Sequence, residues 1–120
     1  MDLIKVSQIQ EPRHVTVFHL QDRINLGNTA ELEKAGQDAY AAGMRHLVID
    51  LTNAPSITSA GIRAIVALYK VLNQGGKEAS AGHLKLVSPT SQVREVLDIA
   101  GLSGYIETYD SLDEAIASFS

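Results

Sequence analysis

The residues with the most chemical promise fall in one run, Asp50-Leu51-Thr52-Asn53-Ala54-Pro55-Ser56-Ile57-Thr58-Ser59-Ala60-Gly61-Ile62. An apolar, branched stretch ends at Asp50-Leu51, a polar loop follows, and residues with helical spacing begin at Ser59. Thr58, Ser59 and Gly61 therefore stand at a helix N-terminus just past a strand's carboxyl end, where open α/β sheets gather their sites. Backbone N–H groups and the helix dipole at such a place favour an anion. A phosphate on Ser59 would carry about −1.5 to −2 charges at neutral pH, and the first helical turn would stabilise it. Gly61, lacking a Cβ, is expected to leave room for another backbone or a nucleotide. The ordinary role of Ser and Thr before a helix is capping, and Ser-Ala-Gly is by itself a weak motif.

The other chemistry-bearing residues read as structural. His14, His19, His46 and His83 lie in or beside strands, none is paired at the helical i, i+4 spacing, and HExxH is absent, so no metal site is expected. Asp50 is expected to accept backbone N–H bonds from its loop, since no histidine lies between it and Ser59 to complete a nucleophilic arrangement. Arg23 and Arg63 flank the loop and suit a phosphate or a partner's carboxylate, although solvated surface charge is their default role. Gly75-Gly76 lacks the GKS/T pattern of a phosphate loop. Glu31, Glu33 and Lys34 form a solvated helix face. No catalytic residue, cofactor or metal is assigned.

Composition narrows the classes further. The 120 residues suit one domain, 1–120, large enough to fold without staples. Ten Lys+Arg against fourteen Asp+Glu leave a net charge of −4, which argues against a nucleic-acid partner bound by phosphate neutralisation. Four Tyr, two Phe and no Trp make a base-stacking or carbohydrate platform unsupported. Zero cysteine excludes disulfides and thiolate chemistry and suits a reducing compartment. The N-terminal segment has no basic region before an apolar run, and no apolar stretch approaches ~20 residues. A cytoplasmic protein without membrane insertion is expected.

The elements that must position the loop follow from periodicity. Residues 3–9 and 13–21 alternate and are joined by a turn at Glu11-Pro12, which predicts a β-hairpin. A helix over 29–42 starts at Asn28, with Glu31 placed for a capping box, and stops at Gly43. Residues 46–51 read as a strand buried on both faces. Ile62, Ile65, Val66, Tyr69 and Leu72 give a helix over 59–73 an apolar stripe, ended by Gln74-Gly75-Gly76. A polar loop spans 77–82, and 83–87 alternates as a strand. Ser88-Pro89 predicts a helix start with Ser88 as cap, and Val93, Val96, Leu97 and Ala100 as its buried face. Residues 105–109 are extended, and Ser111 with Glu114 predicts a capping box for a closing helix. The order β-β-α-β-α-β-α-β-α predicts a mostly parallel sheet of four to five strands with about four helices.

These residues carry a resemblance. The run LVIDLTNAPSITSAGIRAI is similar to the signature of STAS domains, in particular bacterial anti-sigma-factor antagonists. The segment Leu20 to Leu32, the helix SPTSQVREVLDIAG followed by Leu102, and the closing segment Tyr109 to Phe119 also resemble the family, so the likeness spans nearly the whole chain. It implies a single STAS-type, SpoIIAA-like α/β domain. It further implies a non-enzymatic binding module that engages an anti-sigma factor which is also a serine protein kinase, and thereby frees a sigma factor. Ser59 matches the serine that the kinase phosphorylates and that a metal-dependent serine phosphatase restores. The partner surface would comprise Asn25, Thr58, Ser59, Ala60, Gly61, Ile62 and Arg63. Thr58 and Asn25 stand where the family carries acids, and Asp22 stands in place of a glycine. A second reading is therefore a STAS scaffold that is never phosphorylated, as a subunit of a signalling or lipid-transport complex. A third, a small-molecule enzyme on the same sheet, requires more convergent polar groups than the loop offers.

Overall fold

A computed structural model describes residues 3–11, 13–73, 83–104 and 106–119. The chain runs β1 (Ile4–Ile9), β2 (Val15–Leu20), α1 (Thr29–Ala41), β3 (Leu47–Asp50), α2 (Ser59–Leu72), β4 (Leu84–Val87), α3 (Ser91–Ile99), a 3-10 turn (Leu102–Gly104), β5 (Glu107–Tyr109) and α4 (Leu112–Ala117). The five strands form one sheet in the order β1-β2-β3-β4-β5. The opening hairpin is antiparallel and every later pairing is parallel. Sheet order therefore follows chain order, as short helical crossovers allow. The 3-10 turn was not anticipated from periodicity; the expected turn at Pro12, the expected loop 74–82 and Tyr105 lie outside the described residues.

Strand alternation divides the core in two. Phe18, Leu20, Leu47, Ile49, Leu84 and Leu86 pack on one face against Leu32 of α1, Ile65 and Leu68 of α2, and Val93 and Leu97 of α3. Val15, Val17, Val48 and Val87 point to the other face, where Ala115 of α4 and the following Phe119 bury them, with Ile9, Tyr109 and Leu112 packed around. The helices α1 and α2 approach closely because Gly36 has no side chain: a Cβ there would lie 2.1 Å from Leu68 Cδ2.

Four local expectations change. Thr90, not Ser88, caps α3, its Oγ1 accepting from Val93 N at 3.3 Å. Ser88 instead adopts a left-handed φ of 53°, while its N–H and Oγ donate to Tyr109 O and Asp110 O. Pro89 therefore precedes the cap instead of taking the first helical position, and the helix begins at Ser91. Ala100 is exposed, so the buried face of α3 is confined to Val93, Leu97 and half-buried Val96. Third, β4 does not alternate between buried and exposed: all four of its residues are buried. Lys85 is 4% exposed and survives there because its amine reaches past the apolar cluster to Glu107 at the sheet edge. The Asn28–Glu31 box does not form either; Glu31 accepts from Leu3 N at 3.1 Å and ties α1 to the hairpin.

Candidate functional site

Two loops at the carboxyl end of the sheet are stitched into one surface. Ile24 and Ile57 form an isolated parallel bridge beyond the strands. Ile24 N donates to Ser56 O and Thr58 N donates to Ile24 O, each at 3.0 Å. Both isoleucines are buried, so the bridge carries its own apolar floor. Around it, Asn28 closes the first loop: its Oδ1 accepts from Asn25 N at 3.0 Å and its Nδ2 donates to Arg23 O at 2.7 Å. Asn25 Oδ1 in turn accepts from Gly27 N at 2.8 Å, an Asx turn that leaves Leu26 standing in solvent, 77% exposed.

The second loop is braced from below and behind. Asp50 Oδ1 accepts from Thr52 N and Oγ1 at 3.0 and 2.6 Å, as its place at the strand end led one to expect. Thr90 Oγ1 donates to Pro55 O and Ile57 N donates to Gln92 Oε1, each at 3.3 Å. The start of α3 thus holds the loop that leads into α2. Gln92 was not found from sequence, because nothing local distinguishes a glutamine that reaches across to another loop from one in water.

Ser59 is the first residue of α2 and is exposed. Thr58, the cap residue, is extended and exposed, and its side chain does not cap the helix; Oγ1 lies 3.5 Å from Ile24 O. The first N–H groups of α2 therefore lack a side-chain cap, and no acid stands in the first turn. Arg63, one turn after Ser59, is exposed. Asn25, Thr58, Ser59 and Arg63 thus reach the surface of the stitched loops, whereas Ala60, Gly61 and Ile62 face inward. The expectation that Gly61 leaves space for another molecule is corrected. A Cβ there would lie 2.5 Å from Ile57 Cγ1 and 2.8 Å from Ile24 Cγ2, so the chain's own bridge fills the space.

The same Asp50 makes a contact the sequence did not disclose. Its Oδ2 lies 2.7 Å from His19 Nδ1, and Ser7 Oγ lies 2.9 Å from His19 Nε2. Burial by itself would raise the Asp50 carboxyl, but the Thr52 hydroxyl and amide and the His19 ring outweigh it and hold the group below the usual carboxylate range. Elsewhere His46 stacks on His83 and meets the Phe119 ring at a tilt. Burial, then the neighbouring His83, Arg13, Lys85 and His14, push its pKa down to about 4. Among the described residues no cluster of His, Asp or Glu is arranged to hold a metal, and no helix is long and apolar enough to cross a membrane.

A hairpin-led parallel sheet with a serine exposed at the start of its central helix defines the class, and comparison with known proteins names it. The STAS domain family model matches residues 7–115, and the chain belongs to that family. A Bordetella bronchiseptica protein provisionally named anti-sigma factor antagonist BtrV is 32% identical over 100 residues, covering 83% of this chain and 82% of that protein. A provisionally assigned anti-sigma factor antagonist from Thermotoga maritima superposes with a TM-score of 0.84 at 22% identity, covering 97% of this chain and 93% of that one. The phosphorylated form of the Bacillus cell-fate determinant SpoIIAA superposes at 0.68 with 14% identity, covering 97% of this chain and all (100%) of that one. The SpoIIAA-like STAS fold is therefore that of this protein.

Proposed function

We propose that this protein is an anti-sigma-factor antagonist. It binds an anti-sigma factor that is also a serine kinase, releases the sigma factor held there, and is itself turned off by phosphorylation of Ser59. A metal-dependent serine phosphatase resets it, and the cycle runs in the cytoplasm. The observation that carries this reading is the exposure of Ser59 at the uncapped start of α2. A kinase can reach that hydroxyl, and the N-terminal turn with Arg63 one turn on can hold the resulting dianion. The names of the relatives support the partner class.

The binding face is the stitched pair of loops, with Leu26 as the apolar contact and Asn25, Thr58, Ser59 and Arg63 around it. A phosphate placed in the middle of such a contact must be desolvated when the partner docks, which loosens the complex. Thr58 and Asn25, standing where the family carries acids, lower the negative charge beside Ser59 and ease its accommodation of phosphate. Incubation with the cognate kinase and ATP, read by intact mass, tests the reading: one phosphate is expected, lost in Ser59→Ala. Ser59→Asp is expected to weaken capture of the kinase. An unmodified protein that still binds its partner would refute the switch and leave the scaffold reading.

A further inference from the structure

Outside the stitched loops, three side chains from three strands form one unbroken line of hydrogen bonds. Ser7 of β1, His19 of β2 and Asp50 of β3 share the sheet face that carries Val17 and Val48. α4 packs over β3, β4 and β5 on that face, while Lys5 of β1 stays exposed. Ser7 Oγ lies 2.9 Å from His19 Nε2, His19 Nδ1 lies 2.7 Å from Asp50 Oδ2, and Thr52 fixes the other Asp50 oxygen. An ionised carboxylate only accepts, so Nδ1 carries a proton, and in the neutral ring Nε2 is then left to accept from the Ser7 hydroxyl. The imidazole and carboxylate are 24% and 17% exposed, sheltered yet within reach of a small molecule.

Two further features complete the constellation. Lys5 pairs with His19 in the ladder, shares its face, is exposed, and stands two residues from Ser7 along β1. It puts a positive charge on the same face of β1 as the Ser7 hydroxyl. Thr16 N donates to His46 O of the β3 side, so the N–H groups of Val15, Val17 and His19 turn toward β1. Ser7 is then in a bonded pair with Val17, and the N–H of Gln8, the residue after it, lies on the open edge of the sheet. A nucleophile bonded to a base, a base oriented by a carboxylate, and donors beside the reacting oxygen are the parts of acyl-transfer chemistry.

We propose that Ser7 is an activated nucleophile which accepts an acyl group from small, unhindered esters, with His19 as general base and Asp50 as its positioning residue. In the step, Ser7 Oγ attacks the ester carbonyl carbon while His19 Nε2 takes the hydroxyl proton. The tetrahedral oxyanion faces the Lys5 ammonium and the edge N–H. Its collapse breaks the bond to the leaving alcohol, which takes the proton back from Nε2, and leaves an ester on Ser7. Water then attacks the acyl carbon while the same nitrogen takes its proton; collapse breaks the Ser7 Oγ–acyl bond, Nε2 returns the proton to Oγ, and the carboxylic acid leaves. This chemistry uses no atom of Ser59 and stands independently of the proposed switch.

The test is p-nitrophenyl acetate with the purified protein, following p-nitrophenolate release and mapping the acetyl group by peptide mass. The expected result is acetylation at Ser7, retained in Ser59→Ala and absent in Ser7→Ala. His19→Ala is expected to slow the reaction by roughly 100-fold, with recovery on adding free imidazole. Asp50→Asn is expected to slow it comparably and to alter the pH profile, a change that a merely structural carboxylate would not produce. Circular dichroism of each variant verifies the fold; if Ser7→Ala is unfolded, imidazole rescue of His19→Ala decides. Acetyl groups on lysines alone, a rate unchanged in Ser7→Ala, or a His19→Ala rate that imidazole does not restore would overturn the proposal.

Discussion

Gly61→Ala is the sharpest probe of how the site is built. The added methyl would meet Ile57 Cγ1 at 2.5 Å and Ile24 Cγ2 at 2.8 Å. Both contacts are to β-branched side chains with few rotamers, and both residues are buried, at 3% and 0% exposure. Neither can swing aside without opening the bridge that joins the two loops. Overpacking of this kind costs roughly 1–3 kcal/mol. Two contacts this close put the cost at the upper end of that range, about 2–3 kcal/mol, and alanine's better helix propensity returns about 1 kcal/mol, so the net expectation is a loss of about 1–2 kcal/mol. At roughly 4 °C per kcal/mol for a domain of this size, the melting temperature falls by about 4–8 °C. Thermal unfolding by circular dichroism measures it, and amide shifts at Ile24, Asn25, Ile57 and Thr58 locate it. A variant as stable as the parent, with those amides unmoved, would refute the claim that the glycine exists for the bridge.

Further expectations follow from the same coordinates. Leu26→Asp, at a residue 77% exposed, should leave the melting temperature unchanged yet lower affinity for the proposed anti-sigma-factor partner by roughly 10-fold or more, measurable by calorimetry. His46 titrates near 4 rather than 6.5. A depressed histidine binds its proton first in the unfolded chain, so stability is full above about pH 6.5 and declines as pH falls toward about 4. Solvent screening of a half-buried ring limits that loss to roughly 1–2 kcal/mol. His46→Gln should flatten it in urea titrations at pH 7 and 4.5, and parallel slopes for the two proteins would contradict the assignment. Lys85→Met should change stability by no more than about 1 kcal/mol in chemical denaturation, because Glu107, half exposed, returns to water while the thioether packs on Phe119.

What was legible in the sequence is what period and punctuation encode. The stripe Ile62, Ile65, Val66, Tyr69 and Leu72 points to α2, although Val66 and Tyr69 are only half-buried and Leu68 takes the deeper place, and the branched run 46–51 points to β3, which spans Leu47–Asp50, because burial on these faces dominates local choice. The cap of α4 was readable too: Ser111 Oγ accepts from Glu114 N at 3.2 Å. Ser59 at the start of α2 followed from the same logic. The misses share a cause, which is dependence on partners distant in the chain. Thr90 rather than Ser88 caps α3 because Ser88 is drawn to Tyr109 and Asp110. The Ser7–His19–Asp50 line exists only in one register of three strands, and a one-residue slip would scatter it across both faces. Gly61's tenant was equally hidden, since its neighbours are an adjacent loop residue and one from the preceding helix-strand unit.

The single rung between Ile24 and Ile57 has a consequence for how the two loops evolve and move. It couples them as a hinge pin couples two leaves, outside the sheet and upstream of the long helix. A force on Leu26 is therefore delivered to the first turn of α2 through two backbone bonds, with no strand displaced. An insertion that moved either isoleucine out of phase would break both of the rung's backbone bonds and uncouple the loops.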